Sequence, residues 1–170
     1  LSVQYAAKWG VGDRQWSGSV SFAQNLPGGS RGGQDDFSAV RVGADKDYNV
    51  LRGSLSFSQA LAQDWQARLA MAAQYTNSAL VPGEQFGTGG ANTVRGFDER
   101  EASNDKGWLG NLELYTPELC AQRWSTQQCR IVAFYDWSAV HRNKAQPADI
   151  SREHLASMGL GLRWTLGKDL

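Results

Sequence analysis

The 170-residue sequence predicts an all-β chain that forms part of an antiparallel transmembrane β-barrel. Three observations predict this fold. Apolar and polar residues alternate in seven segments, which is the period of a β-strand. Each segment has about 9 to 12 residues, the length that a tilted strand needs to cross a bilayer. Short and long polar connections alternate between the segments, as they do at the two ends of an outer-membrane barrel.

The first four segments lie between residues 2 and 75 and have the clearest two-faced pattern. Apolar side chains occupy alternate positions, and serine, glutamine, glycine or arginine occupies most positions between them. Such alternation predicts strands with one apolar face and one polar face. In chain order, their apolar positions are Val3, Tyr5, Ala7 and Trp9; Trp16, Val20 and Phe22; Leu51, Leu55 and Phe57; and Trp65, Ala67, Leu69, Met71 and Tyr75.

The last three segments, 108–116, 130–140 and 156–166, continue the alternation. We call the two sets of alternate positions the apolar parity and the polar parity, and acidic residues occur on the polar parity. Glu113 and Asp136 belong to this parity. A soluble up-and-down barrel needs an apolar interior, whereas a polar parity suits a water-filled lumen. We therefore expect Glu113 and Asp136 to point into a lumen, and the apolar parity to contact the lipid of the outer membrane.

Tryptophans at the ends of the predicted strands agree with this topology. The short connections are 11–15 and 61–64, and the long ones are 27–47, 77–106 and 141–153. Tryptophan is typical of the two interfaces of a membrane, so two aromatic belts are expected. The alternative is that these rings pack in the core of a soluble sandwich. Trp9, Trp16, Trp65 and Trp164 lie towards the short connections, and Trp108 and Trp137 towards the long ones.

Composition and charge exclude several other classes of protein. Apolar residues make up 41% of the chain and charged residues 20%, which excludes a disordered polymer. Seventeen Lys and Arg balance 17 Asp and Glu, so no overall field predicts a nucleic acid as partner. The longest apolar runs have five residues, far below the roughly 18 to 20 of a membrane-spanning helix. No signal-peptide pattern precedes the first strand, and we expect the chain to begin within an element.

The long connection 77–106 contains the most specific motif. Gly89-Gly90 is followed by Val94-Arg95-Gly96-Phe97. This pattern resembles the signature loop of the outer-membrane protein translocators, which include barrel-assembly insertases and two-partner secretion transporters. Leu80 to Phe86 and Asn111 to Leu114 are similar to the transporter branch, the TpsB or hemolysin-secretion type. Phe134-Tyr135-Asp136 resembles the family's Phe-x-Asp strand motif, and residues 16–140 follow the family's order of elements.

The resemblance implies a role for each residue of the motif. In the family, the loop folds back into the lumen and its arginine meets acidic residues of the following strands, which are Asp136 and Glu113 here. A guanidinium can bind two carboxylates at once. Gly96 would allow a turn that other residues disfavour, and Phe97 would pack against the wall. The alternatives are a solvent-exposed Arg95 and a phosphate-binding loop, but the latter lacks its Gly-Lys-Ser/Thr ending.

The resemblance also implies a function. It predicts a pore in the outer membrane of a Gram-negative bacterium that secretes a large partner polypeptide without nucleotide, cofactor or nucleic acid, and that is not an enzyme. Residues 1–170 would belong to a single barrel domain of about 16 strands, with periplasmic domains upstream and the final hairpin outside the sequence. The alternatives are a barrel-assembly insertase, a passive porin and a soluble barrel that binds a ligand.

Cysteine and histidine complete the list of candidate residues. Cys120 and Cys129 delimit a ten-residue segment between two strands, and an oxidising periplasm would join them in a disulfide. Two reduced core cysteines are the alternative. His141 and His154 flank a long connection and are expected to be loop residues. No catalytic motif and no metal-ligand pattern accompanies them.

Overall fold

The fold is an antiparallel sheet of seven strands, together with a two-stranded hairpin. The computed structural model describes residues 1–29, 32–120 and 127–166. The large sheet has the order β1-β2-β3-β4-β7-β8-β9, so each strand pairs with the next one along the chain, and the hairpin β5–β6 lies between β4 and β7. The elements are β1 (Ser2–Val11), β2 (Arg14–Gln24), α1 (Gln34–Val40), β3 (Asn49–Ala60), β4 (Gln66–Tyr75), β5 (Phe86–Thr88), β6 (Ala102–Asn104), β7 (Lys106–Tyr115), β8 (Gln127–His141) and β9 (Arg152–Leu166).

The register aligns the apolar parity of every strand on one face of the sheet, which we call the apolar face. Trp9 pairs with Trp16, and Leu112 pairs with Tyr135. Side chains on this face are open to the surroundings: Tyr5 is 74% exposed and Met158 is 80% exposed. A continuous exposed apolar surface of this kind is what a barrel presents to lipid. The predicted fold class and the seven strands are therefore confirmed.

The connections alternate in length, as the sequence predicts. Short connections join β1 to β2 and β3 to β4, and long loops cover residues 25–48, 76–105 and 142–151. Every second connection along the chain is therefore a long loop, and all three long loops lie at the same end of the sheet. Among the residues that the structure describes, no helix is long and apolar enough to cross a membrane.

The structure differs from the sequence prediction in three local features. The 25–48 loop contains α1, whose Phe37 packs against the buried cluster of Tyr48, Val50 and Leu80. The 76–105 loop contains the hairpin β5–β6. Strands β8 and β9 have 15 residues each, because their ladder continues through polar residues on both faces. His141 and His154 consequently lie in strands rather than in a loop.

Candidate functional site

The 76–105 loop folds back over the face opposite the apolar one, which we call the polar face. Val94 is completely buried there. The side-chain amide of Asn111, on β7, donates to the carbonyl oxygen of Thr93 at 2.5 Å. Ser138, on β8, and Thr88 are joined by a hydrogen bond of 3.0 Å between their hydroxyl groups. The loop is thus attached to two adjacent strands of the sheet.

Arg95 makes the strongest contacts between this loop and the sheet. Its Nε donates to Asp136 Oδ2 at 2.6 Å and its Nη2 donates to Asp136 Oδ1 at 2.6 Å, which is a bidentate pair. Its backbone N–H donates to the same carboxylate at 3.1 Å. Nη1 donates to Glu113 Oε1 at 2.8 Å, and the guanidinium carbon lies 3.7 Å from the ring centre of Phe134. These hydrogen bonds, chiefly those to Asp136, raise the pKa of Arg95 above its ordinary value, so the group stays charged.

Strand register explains how the two carboxylates come together. Asn111 lies directly opposite Asp136 in the β7–β8 ladder, and Glu113 lies opposite Phe134. Residues two apart on one strand share a face, so these side chains form one patch. Asn111 donates to Asp136 Oδ1 at 2.8 Å, and the Tyr115 hydroxyl donates to Glu113 Oε2 at 2.6 Å. Asp136 is fully buried, and its negative charge is balanced by Arg95 from the loop.

The two other members of the motif have different surroundings. Gly96 has a φ of +89°, a backbone conformation that side chains with a Cβ rarely adopt. Phe97 is partly exposed, so its packing against the wall stays a prediction. The aromatic ring that contacts the guanidinium belongs to Phe134, which the sequence prediction had placed in the strand motif without giving it this contact.

Comparison with known proteins identifies the family. The sequence model of the haemolysin secretion/activation proteins ShlB/FhaC/HecB matches residues 1–164. The chain belongs to the ShlB/FhaC/HecB family. Members of this family are outer-membrane β-barrel transporters of Gram-negative bacteria, which places this chain in the outer membrane.

Two solved structures share the fold of this ShlB/FhaC/HecB-family chain. CdiB from Escherichia coli is 21% identical with a TM-score of 0.78, and the match covers 97% of this chain and 30% of that one. CdiB from Acinetobacter baumannii is 22% identical with a TM-score of 0.65, and the match covers 95% of this chain and 26% of that one. The chain thus spans less than a third of either structure. A search of curated protein sequences found no significant match.

A second polar cluster in this ShlB/FhaC/HecB-family chain joins the three long loops, and no pattern in the sequence predicts it. We call it the three-loop clasp: Arg41, Leu80, Asp105 and Asn143. Both terminal nitrogens of Arg41 donate to the Asp105 carboxylate. The backbone N–H groups of Leu80 and Asn143 donate to the same carboxylate at 2.7 and 2.6 Å. Arg41 also donates to the carbonyl oxygens of Leu80 and Asn143.

The sequence contains little that would predict the clasp. Its residues belong to three non-periodic connections, and 64 positions separate Arg41 from Asp105. An isolated Arg or Asp in a polar loop is ordinarily solvated, so neither residue stands out. The one available hint is Asn104-Asp105 immediately before β7, at the point where the loop must return to the sheet.

The structure joins Cys120 and Cys129 in a disulfide, with their Cα atoms 5.2 Å apart. The backbone N–H groups of both cysteines donate to Glu118 Oε1, at 2.9 and 2.7 Å. Glu118 and the two sulfurs lie close enough to hold a metal ion, but both sulfurs are used by the disulfide and are not thiolate ligands. The middle of this predicted turn, residues 121–126, lies outside the described residues.

Replacing both cysteines with serine is expected to lower the free energy of unfolding by about 2 to 3 kcal/mol, the loop-entropy contribution of a disulfide that closes ten residues. The measurement is urea unfolding of the full-length protein in lipid vesicles. Reductant should shift the midpoint of the native protein by the same amount and leave the double variant unchanged. A double variant as stable as the native protein would contradict the prediction.

Proposed function

We propose that this chain forms part of the wall of a pore that secretes a large partner polypeptide across the outer membrane without nucleotide. The polar face would line the lumen, and the 76–105 loop would lie in that lumen. The observation that supports this most directly is the attachment of the loop to β7 and β8 through Arg95, Asp136 and Glu113. Family membership supports the partner polypeptide as the cargo.

The chemistry of the polar face suits a polypeptide in transit. An extended chain carries unpaired N–H and C=O groups, which need water or polar side chains around them. Serine, glutamine and charged residues supply these groups along the polar parity of the strands. A loop that is held by ion pairs and hydrogen bonds can be displaced and can rebind, because charged groups regain hydration when they separate. Export would then be coupled to movement of the loop rather than to hydrolysis of a nucleotide.

We also propose that residues 1–170 belong to a single barrel domain with periplasmic domains upstream and a further hairpin downstream. The open sheet supports this proposal. Strands β1 and β9 each have one edge without a partner strand among the described residues. An unpaired edge in hydrocarbon leaves backbone groups without hydrogen bonds, so the assembled barrel must pair both edges.

Replacing Arg95 with Lys tests the proposed role of the loop. Lysine keeps the positive charge but cannot form the bidentate pair with Asp136. Hydrogen bonds to charged groups contribute roughly 1.5 to 3 kcal/mol each, so secretion is expected to fall by about tenfold or more. The measurement is the amount of partner polypeptide released by cells that produce the full-length protein, at equal amounts of folded protein in the outer membrane.

Arg100 provides the matched control in the same loop. It is exposed and donates to the carbonyl oxygens of Pro82 and Gln85 and to the Ser103 hydroxyl, without an ion pair among the described residues. Arg100→Lys should secrete at the native level. Native secretion by Arg95→Lys would count against the proposed role of the loop. Ion conductance that is insensitive to deletion of residues 84–101 would instead favour a passive porin.

A further inference from the structure

A row of basic residues crosses three adjacent strands on the apolar face, at the end of the sheet where the long loops lie. Lys106 pairs with His141 in the β7–β8 ladder, and His141 pairs with Arg152 in the β8–β9 ladder. Neighbouring strands are about 4.8 Å apart, so the three residues cover about 10 Å. His154 lies two residues further along β9 than Arg152, towards the middle of the sheet and on the same face.

These residues border a shallow cleft of about 440 Å³. Tyr75 and Trp108 line the same cleft, and the Lys106 ammonium lies 5.6 Å from the ring centre of Tyr75. The cleft therefore has a basic rim at the level of the strand ends. Tyr75 lies at that same level, next to the Gln74–Gly107 pair, and Trp108 lies two residues closer to the middle of the sheet. In a membrane, the first level corresponds to lipid headgroups and the second to the aromatic belt.

The described part of the chain forms no salt bridge that neutralises the positive charge of this row. No salt bridge within residues 1–29, 32–120 and 127–166 includes Lys106 or Arg152. The carboxylates next to them in sequence are both used on the opposite face. Asp105 binds Arg41, and Glu153 accepts a hydrogen bond from Asn104 at 2.9 Å. His141 Nδ1 is buried and has no hydrogen-bond partner among the residues that the structure describes.

We propose that this cleft binds the phosphate-bearing headgroup of a membrane lipid. Lys106 and Arg152 would contact the phosphate, while the rings of Tyr75 and Trp108 would pack against the glycosyl or acyl part of the lipid. Basic residues beside a membrane-spanning segment attract anionic headgroups, and here the apolar surface below the cleft provides contact for the chains. The site goes beyond the export function, because it lies on the face that contacts lipid and not on the polar face.

The experiment uses the purified full-length protein in a non-ionic detergent, with bisphosphorylated lipid A as the probe and native mass spectrometry to measure the bound lipid. Each basic residue near a headgroup contributes about a fivefold gain in affinity. Arg152→Gln is therefore expected to weaken binding about fivefold, and the Lys106→Gln/Arg152→Gln double variant about 25-fold. These side chains lie at the surface, so the variants should keep the native fold.

Arg14 is the matched control, because it lies on the parity of the apolar face at the opposite end of the sheet and is exposed. Arg14→Gln should bind lipid A like the native protein, and dephosphorylated lipid A should bind weakly to all variants. Equal weakening by Arg14→Gln and Arg152→Gln would show unspecific charge attraction and overturn the proposal. Displacement of the lipid by millimolar inorganic phosphate would show a site for the free anion, which also overturns it.

Discussion

Arg95→Ala is expected to release the 76–105 loop from the polar face and to reduce secretion to a small fraction of the native level. The substitution leaves the fully buried carboxylate of Asp136 without its cation and with Asn111 as its remaining side-chain donor. Removing one partner of a buried ion pair costs about 3 to 5 kcal/mol. Arg95 is itself 27% exposed, so we expect a value near the lower limit.

Release of the loop can be measured through Val94, which is completely buried beside Arg95. The Val94→Cys variant should react slowly with a polar maleimide because position 94 is buried. The two native cysteines should give no background labelling, because they are joined in the disulfide. A loss of about 3 kcal/mol in attachment of the loop raises the exposed population about a hundredfold. The labelling rate should rise by the same factor when Arg95→Ala is added, and should not change when Arg100→Ala is added.

A second variant separates the ion pair from general damage to the loop. Arg95→Ala combined with Asp136→Asn removes both charges, so no buried carboxylate is left unpaired. We expect the loop of this double variant to be better attached than that of Arg95→Ala alone. Equal labelling rates in the two variants would contradict the assignment of the ion pair as the main attachment.

The sequence alone predicts the sheet well, because one physical rule governs every strand. Side chains alternate between faces, so a shift of one residue would move all the apolar side chains of a strand to the polar face. Parity therefore predicts that Leu112 and Tyr135 share the apolar face and that Glu113 and Asp136 share the polar one. Which residues lie opposite each other follows from the register of the β7–β8 ladder, which parity alone does not give. The resemblance of the motif then indicates which arginine lies near the two carboxylates. Its role in secretion stays a prediction.

The features that could not be predicted depend on contacts between loops. Helix α1 has seven residues, too few for a helical period. It contributes a single ring, Phe37, to a cluster formed by the end of the 25–48 loop, β3 and the 76–105 loop. The three-loop clasp depends on where three long loops meet once the sheet has formed. No local pattern gives the position of Asn143 relative to Asp105, because that position follows from the ladder between β7 and β8.

Asp105→Asn is expected to lower the stability of all three long loops by about 3 to 5 kcal/mol, the cost of breaking a buried ion pair. Arg41 is 8% exposed and Asp105 is fully buried, so solvent screens this pair very little. The native carboxylate accepts from Arg41 and from the backbone N–H groups of Leu80 and Asn143. An asparagine side chain has one acceptor oxygen, and its NH₂ group would face two of the N–H donors that the carboxylate binds. At least two of these donors therefore lose their hydrogen-bond acceptor.

The prediction is tested by limited proteolysis of the full-length protein in lipid vesicles, with cleavage followed in the 25–48 and 142–151 loops. Asp105→Asn should increase cleavage of both loops, although neither contains the substitution, because Asp105 joins them. Asp47→Asn is the control, since Asp47 is 63% exposed in its pair with Lys46 and should contribute less than about 1 kcal/mol. Increased cleavage confined to the 76–105 loop would show that Asp105 stabilises its own loop only.

An apolar replacement of the pair distinguishes the charge from the packing. Arg41→Met combined with Asp105→Leu removes both buried charges and fills a similar volume, a change that is often neutral or stabilising elsewhere. Here Asp105 also accepts hydrogen bonds from the N–H groups of Leu80 and Asn143, and Arg41 donates to the carbonyl oxygens of the same two residues. Methionine and leucine cannot form any of these hydrogen bonds. We therefore expect the double variant to remain less stable than the native protein, because the clasp stabilises the loops through hydrogen bonds to their backbones.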